Sequence, residues 1–194
     1  MRGGYGAKAA GRLLFFIRMI LKTARLTLRP QQQGDALALF TILSHPEAMR
    51  FWSRPAITRL EVVEDLVREQ QAAMAKGLCQ YWTALEGDDA IGSVDLSLIR
   101  DGSAELGFLF RPDRWGNGLA SEAARAVANH ALGPLGLQSL ASAIQTENRM
   151  AARVLEKSGF VLVDRRSVTI ASGQSRDCAF YLLRRDQSSA AKGR

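Results

Sequence analysis

The stretch Trp115-Gly116-Asn117-Gly118-Leu119-Ala120 constrains the chain more than any other, because two glycines and a small residue fall where an apolar run gives way to a helical one. Glycine reaches positive φ at little cost and lets backbone approach a ligand without a Cβ in the way. The first-turn N–H groups of the following helix have no intrahelical partners and carry the positive end of the helix dipole. Such a turn suits a phosphate. The spacing is neither the GxGxxG of dinucleotide folds nor the GxxxxGK[ST] of a P-loop. On its own the turn fits a tight loop with no ligand equally well.

The flanking chain supplies the context. Thr23 to Pro30 alternates apolar and polar residues and ends at proline, which predicts a first strand. A short helix follows, with Asp35 as its expected N-cap, and Ser44-His45-Pro46 ends it. Phe51 to Pro55 is an aromatic, proline-bounded loop placed to lie over a pocket. Thr58-Arg59-Leu60-Glu61 fits a capping box for a second amphipathic helix reaching Lys76-Gly77. Three strand-like runs, 79–85, 90–99 and 104–110, are separated by turns and predict an antiparallel meander whose last strand enters the glycine loop. Beyond the loop come an alanine-rich helix over 121–132 stopped by Gly133-Pro134, a strand over 137–143, a helix over 147–157, and two final strands joined by a turn near Ser172-Gly173.

The formal net charge of +7 raises the question of nucleic acid, and the location of the charges answers it. Residues 1–22 hold five cations and no acid, the last eleven residues add an excess of three, and the body between is almost neutral. No basic stripe or nucleic-acid signature marks the fold itself, so DNA is not an expected partner. Cys79 and Cys178 form no CxxC pair, and His45 and His130 share no ligand spacing, so no disulfide framework and no metal are expected, and a reducing, cytoplasmic setting is. His130 suits a structural place, while His45 is free to line a pocket. The apolar run Leu13 to Ile17 is too short to span a bilayer, and no membrane partner is expected. Residues 1–18 read as an extension outside the fold, 19–185 as one domain, and 186–194 as a loose tail.

The order strand, two helices, three strands, glycine loop, helix, strand, helix, strand, strand resembles that of the GNAT N-acetyltransferases. The closest likeness is to the RimJ/RimL-like branch, which acetylates ribosomal-protein amino termini. It rests on the opening Thr23 to Pro30, the strand Glu105-Leu106-Gly107-Phe108, the loop Trp115 to Ala120, and the run Asn148 to Phe160, which matches NxxAxxVLEKxGF. It covers residues 22 to 184. The fold it implies is α/β (α+β), a mixed, mostly antiparallel sheet of about seven strands flanked by about four helices, with a splayed strand pair.

The resemblance implies acetyl-CoA and a primary-amine acceptor. By it, the N–H groups of Trp115, Gly116, Asn117, Gly118, Leu119 and Ala120 would hold the pyrophosphate, and the backbone of Phe108, Leu109 and Phe110 would pair with pantetheine as an added strand does. Asn148 would bind the same arm from the other side, and Arg114 would meet a phosphate or stay solvated. Glu105 is the expected base, with ammonium binding or a structural charge as its competing roles. Asp95 is the reserve. The tyrosine that many GNAT enzymes use as general acid is replaced by Leu155, which leaves Ser142, Tyr81 or a water to protonate the thiolate. Phe51, Trp52, Ser53, Tyr81 and Asp95 are the candidates for the acceptor pocket. Three readings follow: an N-acetyltransferase for a protein amino terminus or a small amine, a non-catalytic CoA sensor, and a ribosome-binding module using the basic ends. A homodimer is compatible with each.

Overall fold

The computed structural model describes residues 19–169 and 173–186. The readings of residues 1–18 and 187–194, and part of the turn expected near Ser172-Gly173, lie outside them.

Among the described residues eight strands form one sheet: β1 (Leu21–Lys22), β2 (Thr27–Pro30), β3 (Gln80–Glu86), β4 (Asp89–Arg100), β5 (Ser103–Phe110), β6 (Ser139–Gln145), β7 (Val161–Thr169) and β8 (Ser175–Arg184), in the order β1-β2-β3-β4-β5-β6-β8-β7. Among the described residues five helices accompany it: α1 (Ala36–Leu43), α2 (Pro46–Met49), α3 (Leu60–Ala75), α4 (Leu119–Leu132) and α5 (Arg149–Lys157). The meander β3-β4-β5 is antiparallel as expected. The sheet exceeds the expected seven strands by β1, a two-residue rung too short to leave a periodic signal. The extra helix is α2, a single turn in which Pro46 takes the first helical position and His45 Nδ1 accepts from the Glu47 N–H. His45 therefore caps a helix and does not line the main cavity.

The two faces of the sheet bury different helices. Trp82, Val94, Leu96, Leu106 and Phe110 pack against Ala123, Ala124, Val127 and Ala131 of α4, whose small side chains permit close approach. On the opposite face Leu39 and Leu43 of α1 and Val63 and Val67 of α3 form a second cluster that takes in Leu109 and Trp52. His130 is buried with its ring edge-on to Trp82 at 6.1 Å, and burial lowers its pKa, which keeps the imidazole neutral. Asp35 stands at the N-cap position of α1 without capping it. Its carboxylate accepts from Arg29, from Thr83 at 2.6 Å and from the Gln32 N–H at 2.8 Å. Burial pushes that carboxyl up, these bonds outweigh it, and the net shift is downward. The expected capping box at Thr58 does not form either, because Arg59 holds the N-cap of α3 and makes no side-chain cap.

The feature that positions the site is the seam between β5 and β6. These strands are parallel and pair only over Ser103–Glu105 and Ser139–Ala141. Beyond that they diverge.

Candidate active site

At the apex of the divergence the Ser142 hydroxyl donates to the Leu106 carbonyl at 2.9 Å, closing the last rung that β6 backbone no longer reaches. Farther out, Trp115 folds back and its Nε1–H donates to the Phe110 carbonyl at 2.8 Å. Backbone groups on a strand alternate in direction. The Arg111 N–H bonds Ile91 on β4, so residues 107 and 109 turn towards β4 and residues 106, 108 and 110 turn towards the seam. With Leu106 O and Phe110 O engaged, the N–H and C=O of Phe108 and the N–H of Phe110 are the outward groups. This amends the expectation for Leu109, which lines the cavity but directs its backbone at Ser93.

The glycine loop closes the outer end. Gly116 and Gly118 have φ of +79° and +77°, and Gly118 is the N-cap of α4. The first helical bond runs from the Glu122 N–H to Gly118 O, so the N–H groups of Leu119, Ala120 and Ser121 point out of the helix end. A Cβ at Gly116 would meet nothing within 4 Å, which marks open space above the loop. The loop is braced by a residue that sequence reasoning passed over. Arg25 donates to Asn117 O at 2.9 Å and pairs with Glu122 at 2.6 Å.

One cavity of about 710 Å³ joins these parts. It takes in Glu105, Phe108, Leu109, Phe110, Arg114, Trp115, Gly116, Gly118, Leu119, Ala120, Ser142 and Asn148, together with Phe51, Trp52 and Ser53. Asn117, Tyr81 and Asp95 are not in its lining. Arg114 reaches the cavity wall with its charge engaged by Asp89 at 3.0 Å and Glu86 at 3.4 Å. Asn148 caps α5, its Oδ1 accepting from the Ala151 N–H at 3.0 Å, which leaves its NH2 end as the free donor. Arg153 and Lys157, one helical turn apart on α5, also line the cavity; their i, i+4 spacing after Asn148 was the available signal for them.

Beneath the α1 and α3 face, β-pairing sets Tyr81 opposite Asp95 and Asp95 opposite Gly107. A Cβ at Gly107 would lie 2.6 Å from Asp95 Oδ1, so glycine there is what admits the carboxyl. Burial pushes Asp95 up to about 7, against a hydrogen bond from Ser97 and with Glu105 adding to the rise. Burial, with Asp95 nearby, likewise raises Tyr81 to about 12 and Cys79 to about 11, so both hold their protons at neutral pH. Among the described residues no group of three or more His, Cys, Asp or Glu side chains is arranged to hold a metal, and no helix is long and apolar enough to cross a membrane.

A mixed sheet opened at one parallel seam, with a helix-end cradle at the mouth and a carboxylate at the root, defines an acyl-CoA-dependent transferase of the GNAT class. Residues 25–161 match the family described as the acetyltransferase (GNAT) domain, and the chain belongs to that family. It is accordingly an acetyl-CoA-dependent N-acetyltransferase. The chain is 28% identical over 145 residues to the uncharacterized N-acetyltransferase YoaA of Bacillus subtilis (strain 168), covering 73% of this chain and 82% of that one. Among solved structures it is similar to RimL, a ribosomal L7/L12 alpha-N-protein acetyltransferase in complex with coenzyme A, with a TM-score of 0.77 at 16% identity, over 86% of this chain and 98% of that one. It is also similar to a spermidine N-acetyltransferase from Vibrio cholerae in complex with CoA and spermine, with a TM-score of 0.74 at 20% identity, over 85% and 98%.

Proposed function

We propose that the chain acetylates the amino terminus of a protein or peptide by direct attack of the amine on acetyl-CoA, with both substrates bound together. The observation that carries this reading is the single cavity holding the helix-end amides, the outward Phe108 groups, Glu105 and the aromatic loop Phe51–Ser53. The motifs that resemble the RimJ/RimL-like branch, Thr23 to Pro30, Glu105 to Phe108, Trp115 to Ala120 and Asn148 to Phe160, support a protein amine as the acceptor.

Acetyl-CoA supplies a thioester whose carbonyl is open to an amine. The amides of the loop and of the α4 first turn bind the pyrophosphate, helped by the helix dipole. The outward groups of Phe108 would hold the pantetheine arm as an added strand is held, and Asn148, which lines the same cavity, would bind it from the other side. A primary amine is almost wholly protonated at neutral pH unless a group beside it takes the proton. Glu105, at the root of the seam, takes it directly or through a water. The proton that Glu105 takes from the amine then returns to the departing thiolate through a water or through the Ser142 hydroxyl, which lies on Leu106 O and ends the relay protonated as it began.

Thiol release from acetyl-CoA with a panel of N-terminal peptides, spermidine and free amino acids tests the reading. We expect peptides to turn over fastest, and Glu105→Gln to lower kcat/KM by roughly 10²–10⁴-fold with CoA binding unchanged. Unchanged turnover in Glu105→Gln would remove the base assignment. CoA binding without turnover of any amine would favour a sensor.

A further inference from the structure

The inner end of the cavity carries, beside its carboxylates, two arginines that the transfer of acetyl to a bare amine does not require. Pairing places Glu105 beside Ala141, Ala143 beside Phe180, and Gln145 beside Cys178. Alternation then sets Glu105, Gln145, Cys178 and Arg176 on one face of the sheet, the face covered by α1 and by the loop after α2. That loop is tied down by two side chains. Gln145 Nε2 donates to Phe51 O at 2.8 Å, and Arg176 donates to Trp52 O at 2.7 Å. Arg50 lies with its guanidinium carbon 5.2 Å from the centroid of the Phe51 ring, which fixes its direction.

Of the charged side chains that line the cavity, Glu105 and Arg176 stand on this face and Glu47 and Arg50 on and just after α2, while Arg114 stands just before the glycine loop and Arg153 and Lys157 on α5. Among the described residues neither Arg50 nor Arg176 makes an ion pair with a carboxylate. Several arginines elsewhere are paired. Arg111 and Arg114 hold Asp89, and Arg166, stacked on the Phe180 ring at 4.3 Å, pairs with Asp164. Guanidinium groups left open in a cleft favour planar anions, which they bind in bidentate fashion. A polyamine would meet Glu47 and Glu105 favourably but Arg50 and Arg176 unfavourably, whereas an acceptor that carries both an amine and a carboxylate finds an opposite charge for each.

We infer that the acceptor carries a carboxylate close to the amine that is acetylated, and that Arg50 and Arg176 read it while Glu105 faces the amine. The inference rests on the reading of this end as the acceptor site. It narrows the acceptor class to amines with an acidic neighbour, of which an acidic peptide amino terminus and a free acidic amino acid are the two sources.

The experiment compares kcat/KM for peptides of one length that begin Ser-Glu-Glu, Ser-Ala-Ala and Ser-Lys-Lys, for free glutamate and aspartate, and for spermidine. The acidic peptide should exceed the neutral one by about tenfold or more, the value of one well-placed charged contact, with the basic peptide and spermidine lower still. A free acidic amino acid outrunning the peptide would retain the carboxylate and assign its source. Arg50→Glu should reverse the order of the acidic and basic peptides, acting through KM. Arg176→Gln keeps an N–H for Trp52 O without the charge, and should narrow the acidic preference while the thermal shift on adding CoA stays as in the wild type. Equal rates across the peptides, a preference for spermidine, or variants that leave the ratios unchanged would overturn the inference while leaving acetyl transfer intact. No turnover of any amine by protein that still binds CoA would instead remove the acetyl-transfer reading, and this inference with it.

Discussion

Asp95 shows how one side chain can tie stability to pH in this fold. Its carboxyl is enclosed against Gly107, with Glu105, Tyr81 and Cys79 as the titratable groups around it. The folded pKa of about 7 lies above the unfolded value of roughly 3.9, so the folded protein holds an extra proton between these limits. Stability from this group is present at low pH and is lost as pH rises towards 7, where the enclosed carboxyl ionises beside Glu105. Asp95→Asn removes that ionisation and keeps the shape. Urea midpoints should therefore show the variant gaining on the wild type by on the order of 1–3 kcal/mol at pH 8, and much less at pH 5, after solvent screening is allowed for. The same difference at both pH values would mean that the carboxyl ionises freely in the folded state. Sequence alone placed Asp95 beside the β5 strand as a substitute base; that Gly107 makes room for it depends on a cross-strand register that no local pattern records.

The glycine loop and α4 act as one element, and the cost of altering them is conformational. At Gly118 the nearest atom to an added Cβ is Arg25 Nη2 at 3.7 Å, so alanine would not clash. It would be held at φ +77°, at roughly 1–2 kcal/mol for a non-glycine residue. If the loop relaxes to negative φ, the amides of residues 119–121 turn away from the cradle. Gly118→Ala should thus lower the melting temperature slightly and weaken CoA binding by about tenfold, as measured by calorimetry. A loss of stability with full CoA affinity would reduce the loop to a structural turn. This element was readable because its signal is local: paired glycines, a helix start and an alanine stripe lie within twenty residues. The β3-β4-β5 meander was readable for the same reason, its turns falling between alternating runs. What stayed hidden is non-local. The bracing of Asn117 by Arg25 spans 92 residues and the tie from Arg176 to Trp52 spans 124, and no local pattern joins the two ends of either. Tyr81 reads in the sequence as an aromatic near the site, but it pairs with Asp95 two strands away from the seam and is absent from the cavity lining.

At the scale of the molecule the sheet is two parts joined at a weak seam. β1 to β5 and the group β6, β8 and β7 share three parallel rungs, the Ser142–Leu106 bond, and the helices that span them. The ties from Gln145 to Phe51 and from Arg176 to Trp52 close the far side. A ligand seated in the seam contacts both parts and binds only the folded chain, so CoA at a hundred times its Kd should add about 2.7 kcal/mol of stability. For a chain of this size that corresponds to a rise in melting temperature of roughly 5–10 °C. Hydrogen exchange can locate the effect within β5. The Leu109 amide faces β4 and is already paired, so CoA should slow its exchange only as far as it stabilises the whole fold. The amides of Phe108 and Phe110 face the seam, and CoA should slow them further, by an additional factor of ten or more, the equivalent of about 1.4 kcal/mol. Equal slowing at all three positions would mean that CoA stabilises the fold without pairing to the β5 edge, and the strand-like seating of the pantetheine arm would then have to be abandoned.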